Sequence, residues 1–186
     1  MKPTIKKPAT WSAIRQQIAT WEKPALLALL KDLYETNTKN RDFLLARCQA
    51  EAGGGDAIES YRKKIVDQFF PARGFGKLKL GEARKAIRDY YKASGSLPGT
   101  AELLMCYIEN GADFTNQYGG IDERFYNSIE SALDELAALL RKEPGLYPPF
   151  AERLAKVEQL TSGIGWGFHD FICDVVVQLD QELGGS

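Results

Sequence analysis

The chain reads as an all-α protein of about eight or nine helices, packed as antiparallel helical hairpins in an irregular bundle or short solenoid. Three observations predict this. Apolar residues recur at helical spacing in nearly every segment that has a pattern at all. No stretch of four to eight residues alternates apolar and polar as a half-buried strand does. The breaks between periodic segments are short runs of Gly, Pro, Asn and Ser, and short connections favour antiparallel neighbours. No internal repeat of steady period and no low-complexity segment is present.

Taken in order, Thr10 is expected to cap a helix carrying Trp11, Ile14, Ile18 and Trp21. Pro24 fits a first-turn position of the next helix, which places Leu26, Leu27, Leu30, Leu33 and Tyr34 on one side. Asn37-Thr38 breaks that helix, with Thr38 the expected cap of a third that holds Phe43, Leu44, Leu45 and Cys48. Gly53-Gly54-Gly55 stops it. Ile58, Tyr61, Ile65 and Phe69 follow at i, i+3, i+7 and i+11, and Pro71 ends this helix because a residue before proline is driven out of the α region. Residues 71–79 are a connector. Leu80, Ala83, Ile87 and Tyr90 or Tyr91 mark the next helix, and residues 94–99 (SGSLPG) a turn. Thr100 is the expected cap of a helix with Leu103, Leu104, Tyr107 and Ile108, ending near Gly111 or continuing weakly to Tyr118. Gly119-Gly120 is a break, and Asp122 caps what is expected to be the longest helix, through Phe125, Ile129, Leu133, Leu136 and Leu140. Residues 144–149 (PGLYPP) separate it from a helix with Phe150, Leu154 and Val157. Residues 162–167 lead into a last helix with Phe168, Ile172, Val175, Leu179 and Leu183. Residues 1–9 are expected to be a flexible basic tail, 10–183 one helical domain, and 184–186 a flexible end.

The 186 residues are 44% hydrophobic and 26% charged, ordinary for a globular protein with a real core. No apolar run approaches the roughly 20 residues a membrane-spanning helix needs, and the N-terminus has charges but no apolar signal-peptide core, so no membrane role is expected. Cys48, Cys106 and Cys173 are odd in number and form no CxxC pair. They read as buried reduced thiols among apolar neighbours, which points to a reducing cytoplasm.

Charge is distributed unevenly. Residues 61–88 hold nine Lys or Arg against two acids, a net of +7, while residues 89–186 hold six against sixteen, a net of −10. This asymmetry points either to an anionic partner or to two parts of the molecule neutralising each other. Within the stretch, the connector interleaves Phe69, Phe70 and Phe75 with Arg73, Lys77 and Lys79, and its glycines let a backbone approach a ligand. Arg73, Lys77 and Lys79 suit phosphates, Phe75 suits stacking on a base, and Arg84 and Arg88 extend the positive surface one helical turn apart. The structural alternative anchors the phenylalanines in the core and pairs the cations with later carboxylates, Arg73 for instance in a bidentate pair. The glycines do not make a nucleotide site. Gly76-Lys77-Leu78 lacks the Ser or Thr that follows a P-loop lysine, and Gly74-x-Gly76 follows no strand.

Two further segments carry candidate residues. Residues 110–127 gather Asn110, Asp113, Thr115, Asn116 and Gln117 beside Tyr118 and Tyr126; a pocket is one reading, and capping by Asp122 with Glu123 at the positive helix end is the cheaper one. Residues 163–170 (GIGWGFHD) contain the only histidine, His169, beside Asp170. Adjacent residues on a helix point about 100° apart, so these two are no ready acid–base dyad. His169 shares a face with Cys173 and Val176, which favours a hydrogen-bonded structural role. If the three segments meet on one face, Arg73, Lys77 and Lys79 would look across a polar groove at Asp122, Glu123, His169 and Asp170, lined by Tyr118, Tyr126 and Trp166.

FFPARGFGKLKLGEARKAIRDY (69–90), FTNQYGGIDERFYNSIESAL (114–133) and GWGFHD (165–170) resemble landmarks of an uncharacterised bacterial all-helical family, a domain of unknown function, over roughly Ala25 to Asp174. The resemblance implies one helical domain of bacterial type and brings no catalytic or binding residues. The leading expectation is therefore a non-catalytic binding or adaptor module whose basic connector meets nucleic acid or an acidic protein surface, with no cofactor. The alternatives are a metal-dependent hydrolase or transferase using carboxylates and His169, and a self-associating structural protein. No HExxH, EF-hand loop or nucleophile motif supports the enzyme.

Overall fold

The computed structural model describes residues 10–49, 55–165 and 167–184; residues 1–9, 50–54, 166 and 185–186 lie outside it, and with them most of the Gly53–Gly55 break and Trp166. Among the described residues the chain is all-helical, with nine α-helices and no strand. They are α1 (Trp11–Ile18), α2 (Lys23–Thr36), α3 (Thr38–Gln49), α4 (Gly55–Phe69), α5 (Leu80–Ser94), α6 (Leu97–Tyr118), α7 (Glu123–Lys142), α8 (Pro148–Thr161) and α9 (Phe168–Leu183). None of them is long and apolar enough to cross a membrane. Where one domain was expected over 10–183, the chain divides into two compact units, Met1–Arg41 and Asp42–Ser186.

In the first unit Thr10 caps α1 as expected, its side chain accepting from the Ala13 N–H at 3.4 Å. Pro24 sits in the first turn of α2. Asn37, rather than Thr38, caps α3: its Oδ1 accepts the Asn40 N–H at 2.9 Å. Asn40 in turn donates to the Leu33 carbonyl and Arg41 lies over the Tyr34 ring, which ties the turn together. Neither α1 nor α2 has a buried residue.

In the second unit α6 is central and packs against α4, α5, α7 and α8, while α7 and α8 both pack on α9. The helical spacing read from the sequence supplies most of the core: Tyr61, Ile65 and Phe69 of α4, Ala83, Ile87 and Tyr90 of α5, and Phe125, Ile129, Leu133, Leu136 and Leu140 of α7 are all buried. Each of the buried Ile, Leu and Phe side chains among these contributes about 1.5–3 kcal/mol by leaving water. Ile58 is only partly buried, and Tyr91 faces solvent.

Three expectations are corrected here. The cap of α6 is Ser96, whose Oγ accepts the Gly99 N–H at 3.1 Å, so the helix starts three residues before Thr100 and takes Pro98 into its first turn, where a missing N–H is harmless. Gly111 does not end α6, which runs 22 residues to Tyr118 and is longer than the 20-residue α7. A Cβ at Gly111 would overlap the Ile129 side chain, so this glycine is a contact point between α6 and α7. The thiols differ from one another: Cys106 is buried, Cys173 half-buried and Cys48 exposed. Burial pushes the Cys106 thiol up to about 11.

Much of the uneven charge is neutralised internally. Arg153 on α8 donates from Nε and Nη2 to the two carboxylate oxygens of Glu109, both at 2.7 Å, and from Nη1 to Glu102. Glu102 also accepts from Arg62, which donates to Glu59. The chain of charges links α4, α6 and α8, and its bidentate member fixes a geometry as well as a distance. Lys64 reaches the buried Asp42 at 2.6 Å.

Candidate functional site

The connector between α4 and α5 is built back onto the end of α4. Pro71 stops that helix, and the chain returns so that the Leu78 N–H donates to the Gln68 carbonyl at 3.0 Å. Leu78 adopts φ +49°, a region that costs a branched residue about 1–2 kcal/mol. Its hydrogen bond and its packing against the core compensate. Gly76 passes so close to the carbonyls of Phe69 and Gln68 that only hydrogen fits there. Phe69 and Phe70 are anchored as the structural alternative required: Phe69 sits edge-on to Tyr107, and Phe70 faces Phe114. Phe75 behaves differently. Its ring is edge-on to Tyr118 at 4.9 Å and to Phe114 at 5.6 Å, yet the residue remains 61% exposed, and Tyr118 is 51% exposed.

The nine cations of residues 61–88 fall into two groups. Arg62, Lys63, Lys64, Arg84 and Lys85 are all in ion pairs. Arg84, expected on an external positive surface, is instead held inside. Its side chain is 12% exposed, bonded to Glu135 of α7 and stacked over the Tyr107 ring. Its neighbours Ala83 and Ile87 face the core, and the guanidinium follows them. Arg73, Lys77, Lys79 and Arg88 are exposed, and among the described residues none has an ion-pair partner. Arg73, Lys77 and Phe75 line one hollow of about 500 Å³ with Lys63, Asp67, Gln68, Pro71 and Ala72. Asp67 is bonded through both oxygens to Lys63, so Arg73 and Lys77 stand uncompensated there. Sequence reading missed Gln68, whose only visible signal was its place one residue before Phe69. Its Oε1 is buried and, among the described residues, has no hydrogen-bond partner.

The other candidates divide differently from the single groove. Tyr118 belongs with the connector. Asp122 caps α7, its Oδ1 accepting the Phe125 N–H at 2.9 Å, and Glu123 is exposed in the first turn. Tyr126 is buried, with its ring on Phe168 and its hydroxyl accepting the Ile121 N–H. It borders a separate hollow of about 300 Å³ formed by Thr115, Asn116, Gly119, Gly120 and residues 162–165. His169 lines a third hollow with Ala155, Glu158, Gln159 and Ser162. The buried Thr161 hydroxyl donates to a carbonyl of Val157 or Glu158, so it accepts from His169 Nδ1 at 3.2 Å. That assigns the proton to Nδ1 and leaves Nε2 facing the Cys173 thiol at 3.4 Å. Burial, then the nearby Glu158, raise that thiol above its ordinary range. Asp170 is exposed in the first turn of α9, and Trp166 lies outside the described residues. Among the described residues no group of three or more His, Cys, Asp or Glu side chains is placed to hold a metal ion.

In the 110–127 segment, partial burial of Asp113 and then the Glu109 charge raise its carboxyl above the usual range. A raised folded pKa favours folding at pH below the unfolded value and is lost as pH rises through the folded one. Asp113→Asn is therefore expected to raise the melting temperature at pH 7, with the gain vanishing near pH 3, where Asp113 is protonated folded or unfolded. Melts of both proteins at the two pH values check this; an equal gain at both would show that charge is not the cause.

No protein family, curated protein or solved structure matches the chain.

Proposed function

We propose that the protein is a non-catalytic binding module that holds an anionic partner on the connector between α4 and α5. The observation that carries this reading is the division of the cations. Five of nine are neutralised in place, while Arg73, Lys77, Lys79 and Arg88 are exposed and, among the described residues, unpaired. A chain that pairs most of a +7 stretch internally leaves its remaining charge where an external anion can use it. The connector is also seated, through Gly76 and Leu78, so little order is lost when a partner binds. Three free thiols fit a reducing, cytoplasmic setting, and the resemblance of the connector, 114–133 and 165–170 segments to a bacterial helical family belongs to the same reading.

The test is binding of labelled single-stranded RNA and DNA, at about 50 and 200 mM salt, to wild type and to the Arg73→Glu, Lys77→Glu, Lys79→Glu variant. With about four phosphate contacts on a single strand, the salt slope is about −2.8 and fourfold salt weakens binding roughly 50-fold. The variant is expected to lose binding while melting like wild type, since none of the three side chains has an ion-pair partner among the described residues. Absence of any salt-dependent binding by wild type would overturn the reading.

A further inference from the structure

The connector offers more than charge. Phe75 is a large apolar ring left 61% exposed, and it lines the same hollow as the uncompensated Arg73 and Lys77. Exposed aromatic rings are common singly, but this one is braced. Phe114 stands edge-on to it from below and Tyr118, itself 51% exposed, stands edge-on at 4.9 Å. The backbone beneath is fixed on α4 by Gly76 and by the Leu78 hydrogen bond. A ring held this way loses little freedom on contact, and its open face is available to a flat partner.

Resting on the proposed anion-binding role, we infer that the partner is single-stranded nucleic acid, with one base stacked on Phe75 and its flanking phosphates held by Arg73 and Lys77. Cations that track the backbone beside aromatic platforms for the bases are the combination by which proteins hold single strands without regard to sequence. An acidic protein surface would use the cations but has no need of the exposed ring. A duplex keeps its bases stacked on one another and cannot offer one to Phe75. The hollow of about 500 Å³ lies within the 300–1,000 Å³ usual for small-ligand sites, enough for one nucleotide unit. Gln68 also lines it, and among the described residues its buried Oε1 has no hydrogen-bond partner. Lys63 is occupied by Asp67, so it is not part of the phosphate contact.

The experiment compares wild type, Phe75→Ala and Phe75→Trp on three polyanions: oligothymidylate of about 12 nucleotides, a duplex of equal length, and heparin, which has charge but no bases. Wild type is expected to prefer the single strand over the duplex. Phe75→Ala should weaken oligothymidylate about tenfold, with the salt slope and the heparin affinity unchanged, because one stacked base is lost and no phosphate contact. Phe75→Trp should bind the single strand at least as well as wild type, which also controls for loss of fold. If Phe75→Ala leaves oligothymidylate unchanged, or weakens heparin equally, base stacking is refuted while the anion-binding role stands. If wild type binds neither heparin nor oligothymidylate, the underlying role itself fails.

Discussion

Phe69→Ala is expected to destabilise the second unit by about 4 kcal/mol, lowering the urea midpoint by about 2 M for a slope near 2 kcal/mol per molar. Phe69 is 1% exposed and its ring meets Tyr107, Phe114 and Phe125 at centroid distances of 5.4, 6.3 and 6.3 Å. Those partners come from α6 and α7, so removing the ring opens a void where three helices meet. Aromatic neighbours are stiff, with few rotamers that could swing into the space, and the void would stay largely unfilled. The same residue carries one of the carbonyls against which Gly76 packs. Phe69→Leu, which keeps much of the volume, should lose about half as much. A loss below about 1 kcal/mol for the alanine variant would show that the helices close over the gap and that this cluster is not where the unit is held together.

The helices were legible because their signals are local. The spacing of Tyr61, Ile65 and Phe69 states a buried face whatever it packs on, and Asp122 caps α7 by a contact three residues long. What sequence could not show depends on neighbours distant along the chain. Gly111 reads as a helix breaker until Ile129 is seen to need its missing side chain. Arg84 reads as surface charge until Glu135, 51 residues away, claims it. Arg153 is not singled out by the sequence at all, and its partners Glu102 and Glu109 lie 51 and 44 residues away on α6. Of two caps proposed from composition, Thr38 and Thr100, each lost to a polar residue upstream, Asn37 and Ser96, because a capping side chain must precede the first free N–H groups and the helices began earlier.

The candidate site was legible in part, and for the same reason. That aromatics and cations interleave in the connector is visible in residues 69–79, and so is the need for glycine there. Which aromatic is anchored and which is free is not. The sequence offers Phe75 for stacking and, as the alternative, all three phenylalanines anchored in the core; in the structure Phe70 packs on the core beside Phe114, whereas Phe75 is turned outward by the return of the chain over α4. His169 attracted attention as the only histidine. Its bond to the buried Thr161 and its place in a hollow other than the connector's follow from the packing of α8 on α9, which no short motif encodes.

Gly76→Ala is expected to abolish most polyanion binding while leaving the second unit folded. A methyl group at this position would overlap the Phe69 carbonyl oxygen and lie 2.7 Å from that of Gln68. Both are backbone atoms at the end of α4, so no side-chain rotation relieves the overlap and the connector itself must lift. Lifting breaks the Leu78 N–H bond to Gln68, and with it the contact that holds Leu78 at φ +49°. Without that hold Leu78 relaxes to an ordinary conformation, and Arg73, Phe75 and Lys77 no longer share one hollow. The local cost is about 2–3 kcal/mol, so the melting temperature should fall by roughly 5–10 °C while the unit stays folded at 25 °C. Hydrogen exchange at the Leu78 amide should quicken sharply, and oligothymidylate affinity should drop towards that of the triple charge reversal although every cation is still present. Gly74→Ala is the control. It carries φ +78° strain but has open space around it, so it should lower stability slightly and keep the Leu78 amide protected. If Gly76→Ala binds as wild type does with Leu78 exchange unchanged, the seating of the connector on α4 plays no part in recognition, and charge alone must account for it.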